Sequence, residues 1–350
     1  MAGGPADNVR PIDTPLDPET TMRLHSPTLG RRATLVLALA AALAPAAAPA
    51  QTWPARPVTI VVPFPVGGGT DAFARPLSAQ LTKQLGQQVI IDNKGGAGGN
   101  LGATAAAKAN ADGYTWFMGA VHHAIAPAVY PKLDYSLAND FVPIAMIASV
   151  PQVIVVNPQR IAATDLKGLI AHLKANPGKV TYGSAGNGSS HHLAGELFKS
   201  QTQTFLTHIP YRGAGPALQD LIGGQVDMMF DGLGSSATHI RNGRLKAIAV
   251  AGDKRAPGFP DIPPTTEAGV PTYKVATWYG LWAPKGTPQA AIERMSAELR
   301  QALASKEIQA AWANIGAEPP SLSGKAFGDF VAGETQRWAN VVKTGNIKME

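Results

Sequence analysis

The sequence predicts an α/β fold in two lobes, each a mainly parallel sheet flanked by helices, on three observations. Short branched apolar runs alternate with helix-like stretches along most of the chain. Glycine-rich turns stand where an apolar run gives way to a helix. Two apolar segments, at 141–158 and 274–284, are suited to carry the chain from one lobe to the other and back. Alternation of this kind favours parallel strands, because each strand needs a crossover helix that then covers a face of the sheet.

Val58 to Val62 reads as a buried strand, followed by a helix opened by Thr70 or Asp71. Pro76 lies early in that helix and removes a backbone donor, which is expected to bend or restart it. The pattern repeats with a strand at Gln88 to Asp92 and a helix from Asn100. Phe141 to Pro158, interrupted at Pro151, reads as the first crossing between lobes. From Thr164 to Val250 the chain alternates helix and strand, with strands at VTYGS, THIPY, VDMMFD and LKAIAV, which amounts to a complete α/β unit.

Ala256 to Tyr273 is rich in proline and reads as an ordered connection back toward the first lobe. Lys274 to Pro284 is the return crossing, and helices near Gln289 to Leu303, Lys306 to Ile315 and Lys325 to Val342 pack on the first lobe. The expected division is 51–150 plus 275–350 for lobe 1 and 151–274 for lobe 2. Two crossings form a hinge, and closure around a ligand is its natural motion.

The amino terminus addresses the compartment. Arg31 and Arg32 precede the apolar run ATLVLALAAALA, and a small-x-small ending follows at Ala48 and Ala50, which together read as an export signal cleaved after Ala50. The apolar run is shorter than the roughly 20 residues of a membrane span. Residues 1–21 are polar and unlike a leader, so a start at Met22 is expected, with residues 1–50 as upstream extension plus cleaved signal peptide. Ala33 and Thr34 after the arginines favour general secretion over twin-arginine export. A periplasmic location follows.

The chain has 350 residues, a formal net charge of +6 and no cysteine. The missing cysteine excludes disulfides and a lipoprotein anchor. No compact Lys/Arg block or basic-aromatic stripe accompanies the positive balance, so nucleic acid is not an expected partner.

The glycine turns carry the functional signal. PFPVGGGTDAFAR at Pro63 to Arg75 and DNKGGAGGNLG at Asp92 to Gly102 each join a strand to a helix, and TYGSAGNGSSHHLAGELF at Thr181 to Phe198 does so again. Such turns leave unpaired N–H groups at a helix start, where the dipole adds roughly half a positive charge, a setting that suits an anion. No nucleotide-binding lysine follows the first two turns.

With DGYT at Asp112 to Thr115, YRGAGPALQDLIGGQVD at Tyr211 to Asp227 and WYGLWAPKGTP at Trp278 to Pro288, these segments occur in an order that resembles the Bug-type receptors, the extracytoplasmic solute-binding proteins of tripartite tricarboxylate transporters. The resemblance runs from about Trp53 to the end. It implies a two-lobed periplasmic binding protein, type II-like, that closes in the manner of a flytrap on a small carboxylate. It also implies delivery to a separate membrane permease, a monomeric receptor, no cofactor, and backbone N–H groups with ordered waters around the ligand. Dicarboxylates, tricarboxylates, aromatic carboxylates and acidic amino acids all suit a backbone-lined cleft.

Ligands of open α/β sheets sit beyond the carboxyl ends of strands, where these turns lie. The candidate site therefore has Phe64, Gly68, Gly69, Thr70 and Asp71 on one wall, Gly96, Ala97 and Gly98 beside them, and Ser184, Ser189 and His191 opposite. Asp231, ending the VDMMFD run, either meets a cationic group of an amino-acid ligand or caps the next turn. Asp71 is expected to cap its helix, since a second negative charge would repel an anion. A bulky residue at Gly68 is expected to block backbone approach to the ligand. His122 and His123 bear on pocket size or polarity.

The rival classes are enzymatic. His191, His192 and Glu196 could form the metal site of a periplasmic enzyme, since His192 and Glu196 are four apart on one helical face. There is no HExxH arrangement. Ser184 and Ser189 lack the G-x-S-x-G elbow of a hydrolase, and neither of the first two glycine turns spells a dinucleotide fingerprint with its later acidic residue.

Overall fold

The structure, a computed structural model, describes residues 53–317 and 320–344. The export signal, the extension at 1–21 and the start at Met22 lie outside the described residues.

The first half builds a sheet from β1 (Val58–Val62), β2 (Val89–Asn93) and β3 (Thr115–Ala120), with β1 between its two parallel partners. Helix α1 (Gly69–Leu85) follows β1, and a single 3₁₀ turn (Ala97–Gly99) leads into α2 (Asn100–Ala107) after β2. Helix α3 (Val121–Val129) follows β3 directly, and a short turn of helix, α4 (Leu137–Asp140), leads to β4 (Phe141–Val156). Pro76 sits inside α1, which continues through it for 17 residues. The buried face of α1, with Phe73, Ala74, Leu77 and Leu81, packs on the sheet and holds the helix together where one backbone bond is missing.

Strand β4 joins the halves. Its first part, Phe141 to Pro151, pairs antiparallel with β9 (Ala276–Pro284), and its second part, Gln152 to Val156, pairs antiparallel with β7 (Met228–Gly232). A 16-residue strand can serve two sheets because twist accumulates along its length. Strand β9 also pairs antiparallel with β3, which ties the returning chain into the first sheet.

The second half comprises α5 (Leu166–Ala175), β5 (Thr181–Ser184), α6 (Ser190–Thr202), β6 (Thr207–Pro210), α7 (Ala214–Ile222), β7, α8 (Leu233–Arg241) and β8 (Lys246–Val250). Strand β5 lies parallel to both β6 and β7, while β8 flanks β4 on its other side. The strand order is thus β2-β1-β3-β9-β4-β7-β5-β6, with β8 off the path. The parallel pairings are those the strand–helix alternation predicts, and the antiparallel ones all involve β4 or β9, which run between the lobes.

Helices α9 (Gln289–Ala304), α10 (Lys306–Asn314) and α11 (Gly324–Thr344) complete the first half. Met295, Leu299 and Trp312 from α9 and α10 share a core with α1, while Phe327, Val331 and Trp338 from α11 fill the opposite side with Phe117 and Trp282. Glu334 accepts hydrogen bonds from the indoles of both Trp278 and Trp338, at 2.9 and 3.3 Å, and fastens α11 to β9. Among the described residues no helix is long and apolar enough to cross a membrane.

Candidate functional site

The turn after β1 places Phe64 to Thr70 at the carboxyl end of the sheet. Gly68 is the N-cap of α1 and supplies no side-chain cap, so the first N–H groups of the helix are not closed off by their own turn. Asp71 instead turns back: its carboxylate accepts from Gly67 N–H at 3.1 Å and from Asn93 Nδ2 at 3.1 Å, and pairs with Arg75 at 2.8 Å. The carboxylate is therefore spent on holding the turn.

A cavity of about 10 Å³ lies beside this turn, lined by Phe64, Gly68, Gly69, Thr70, His122, Ala185, His191, Ala214 and Tyr279. That volume is close to the minimum for one water molecule. Gly69 and Thr70 open α1, His122 is the second residue of α3, His191 the second of α6 and Ala214 the first of α7. Four helix N-termini from the two lobes thus converge on one point, each bringing N–H groups and the positive end of a dipole. The N-caps of α1 and α7, Gly68 and Gly213, are both without a side-chain hydrogen bond. No lysine, arginine or carboxylate lines the cavity.

The imidazoles of His122 and His191 meet edge to face across the cavity with centroids 5.5 Å apart. His122 also packs against Phe64 and has its Nε2 3.3 Å from Ser190 Oγ. His191 Nε2 lies 3.5 Å from Asp231 Oδ1. Burial holds His122 well below the ordinary imidazole value, helped by the neighbouring His191 and His123, and pulls His191 down to about 4. Both are neutral at pH 7. Asp231 is fully buried at the end of β7, and desolvation pushes its carboxyl up to about 6 although Ser235 and Ser236 donate to it. Tyr279, on β9, is buried between Gly69 and Gly232, and its phenol is raised by desolvation and by Asp231.

The other candidate positions lie around this centre. Ser184 Oγ is 2.6 Å from His208 Nε2 and accepts from Gly186 N–H, while Ser189 caps α6 by accepting from His192 N–H. Gly96, Ala97 and Gly98 form the second glycine turn, all with positive φ, and Gly98 sits against Asn187 of the opposite lobe. These five residues, with Asp71 and Asp231, are outside the cavity lining. Ala185, Ala214 and Tyr279 line it without being site candidates from sequence, and so does His122, which the sequence connects with pocket size or polarity alone. Ala214 follows a Gly213 that is as telling a helix start as Gly68, whereas nothing in WYGLWAP singles out Tyr279.

The profile of the tripartite tricarboxylate transporter family receptor, TctC, matches residues 73–347. The chain belongs to this receptor family. Protein BugT of Bordetella pertussis (strain Tohama I) is 39% identical over 319 residues, which cover 90% of this chain and 98% of BugT. Among solved structures, a protein of R. palustris with adipate is 38% identical, with a TM-score of 0.82 over 85% of this chain and 99% of that one. MatC from Rhodopseudomonas palustris, with bound malate, is 35% identical, with a TM-score of 0.78 over 83% of this chain and 100% of MatC.

In this TctC-family receptor the walls of the cleft touch. Tyr130 donates from its hydroxyl to the Asn187 carbonyl at 2.7 Å, and Gly215 of α7 packs against the backbone carbonyl of Val66. The receptor also separates the residues of the supposed metal site. His191 faces His122 and Asp231, while His192 stacks on His208 with centroids 4.1 Å apart and approaches Glu196 at 4.0 Å. Adjacent residues on a helix diverge by about 100°. Among the described residues no three His, Asp or Glu side chains gather as metal ligands.

Proposed function

We propose that this receptor captures a small organic carboxylate between its lobes in the periplasm and hands it to the membrane permease of a tripartite transporter. One observation carries the reading: four helix N-termini from two lobes converge on a cavity that no cationic side chain lines. Such a site holds an anion by N–H groups and dipoles, without an arginine clamp. The similarity to receptors solved with adipate and with malate supports the same chemistry here.

The lobes are proposed to divide near Pro151 and Val275, where β4 passes from β9 to β7. The cavity of about 10 Å³ is too small for a dicarboxylate, so the ligand enters with the lobes apart and β4 and β9 flexing at their crossing. Ligand contacts then come from the N–H groups of Gly68 to Thr70 and Ala214, directly or through water, with His122, His191 and Tyr279 above them. The Gly96 to Gly98 turn, Ser184, Ser189 and Asp231 lie next to this wall and support it. The receptor acts as a monomer and presents the outer surface of its closed form to the permease.

A thermal-shift screen against di- and tricarboxylates, aromatic carboxylates, amino acids and neutral controls tests the reading. A ligand at about a hundred times its dissociation constant stabilises the fold by roughly 2.7 kcal/mol. Stabilisation confined to carboxylates supports it, and stabilisation by neutral solutes alone refutes it.

A further inference from the structure

Two buried imidazoles face each other across the cleft, one from each lobe, and each leaves a ring nitrogen unused. His122 and His191 are 5% and 4% exposed, and the Nδ1 of each is buried without a hydrogen-bond partner. Asp231 Oδ1, 3.5 Å from His191 Nε2, is likewise without one. A carboxylate sealed in this cavity has helix ends and neutral donors around it but no lysine or arginine. Enclosing an anion without a full countercharge is expensive in a low-dielectric site. Histidine is the residue there that can acquire a charge near neutral pH.

We propose that His122 and His191 take up a proton from solvent as the lobes close on a carboxylate, so that the ligand is held by an imidazolium shared across the cleft. This rests on the carboxylate reading above and names the side chains that determine which charge state of the ligand is accepted. The proton adds to a ring nitrogen and no bond of the ligand changes. Around the pair, α3 contributes His123, β7 contributes Asp231, β9 contributes Tyr279, and α1 contributes Asp71, already paired with Arg75. The His192, Glu196, Lys199 and His208 group occupies the other side of α6. Asp231 gives the imidazolium a partner on the lobe-2 side and the ligand carboxylate gives it one in the cleft, and both favour the charged ring.

Calorimetry counts the protons. The purified protein is titrated with malate, adipate and citrate in buffers of differing ionisation heat at pH 7. The expected result is uptake of about one proton per ligand bound, with affinity weakening by up to about tenfold per pH unit above neutrality. The folded double variant H122Q/H191Q keeps hydrogen-bonding side chains and is expected to bind more weakly, with no proton uptake and no dependence on pH. Binding without uptake in the unaltered protein overturns this inference and leaves the carboxylate reading intact. Uptake that persists in the double variant moves the proton to Asp231 or the ligand and also overturns it. No binding of these three acids, nor of any aromatic or amino-acid carboxylate of the thermal-shift screen, overturns both readings.

Discussion

Tyr279 carries its hydroxyl into the space that a side chain on Gly69 would need. A Cβ at Gly69 would overlap Tyr279 Oη, whereas one at Gly68 would meet Ala214 Cβ at 3.7 Å, an ordinary contact. Gly68 has φ −83°, which any residue adopts.

Gly69→Ala is therefore expected to lower stability by about 1–3 kcal/mol through overpacking, or roughly 3–10 °C in Tm, and to abolish ligand-induced stabilisation. Gly68→Ala leaves Tm nearly unchanged. A large residue at Gly68 instead reaches α7 and is expected to hold the lobes apart. Thermal melts of the three variants with and without ligand check this.

Asp71 is 3% exposed and its partner Arg75 is half-exposed on the surface. Asp71→Ala strands the Gly67 N–H and leaves the Asn93 amide only its bond to the Phe64 carbonyl, at a cost of about 1–3 kcal/mol. Arg75→Ala removes a bidentate ion pair whose arginine half is solvated, leaves the carboxylate its bonds from Gly67 and Asn93, and is expected to cost less than Asp71→Ala. Urea denaturation of the two variants measures the asymmetry, and equal losses would contradict the carboxylate's role in holding the turn.

Stability is expected to fall on acidification from about pH 6.5 to about pH 4. Folded, His123 and His191 stay neutral down to about pH 4 and His122 is likewise held well below the ordinary imidazole value, because burial opposes their charge. Unfolded, each binds a proton below about pH 6.5, so acid favours the unfolded chain by up to about 1.4 kcal/mol per pH unit and residue. Asp231 works in the opposite sense: held up to about 6 when folded, it takes a proton that the unfolded chain does not, and gains stability as pH falls through that value. Three imidazoles outweigh one carboxyl. Tm measured across this range checks the sign, and His123→Gln is expected to flatten the slope.

The Tyr130 hydroxyl reaches the Asn187 carbonyl across the cleft. Tyr130→Phe removes a contact made only when the lobes are closed, so ligand affinity is expected to fall by about three- to tenfold, corresponding to about 1 kcal/mol. The Tm without ligand stays within about a degree. Calorimetry alongside melts separates this effect from a general loss of stability.

Local grammar made much of the fold readable. Short apolar runs bounded by glycine or proline marked β1, β5 and β7, and the two long apolar segments marked the crossings, because strand burial and helix starts depend on residues close in sequence. The same grammar pointed to Phe64 and to Gly68 through Thr70 as a wall, since a glycine turn between a strand and a helix is visible in the chain itself. It could not show that β4 pairs with β9 and β7 in turn, nor that the crossing strands run antiparallel to their neighbours.

The alternation of strands and helices and the glycine turns that leave N–H groups free follow from residues adjacent in the chain. Which turns meet follows from packing. His122 and His191 are 69 positions apart and carry no local signal of contact, and Tyr279 belongs to a segment that reads as the return crossing, with nothing to mark one of its side chains for the cavity. Their convergence comes from closing two sheets about a shared strand, and such long-range packing depends on side chains distant in sequence filling one common volume.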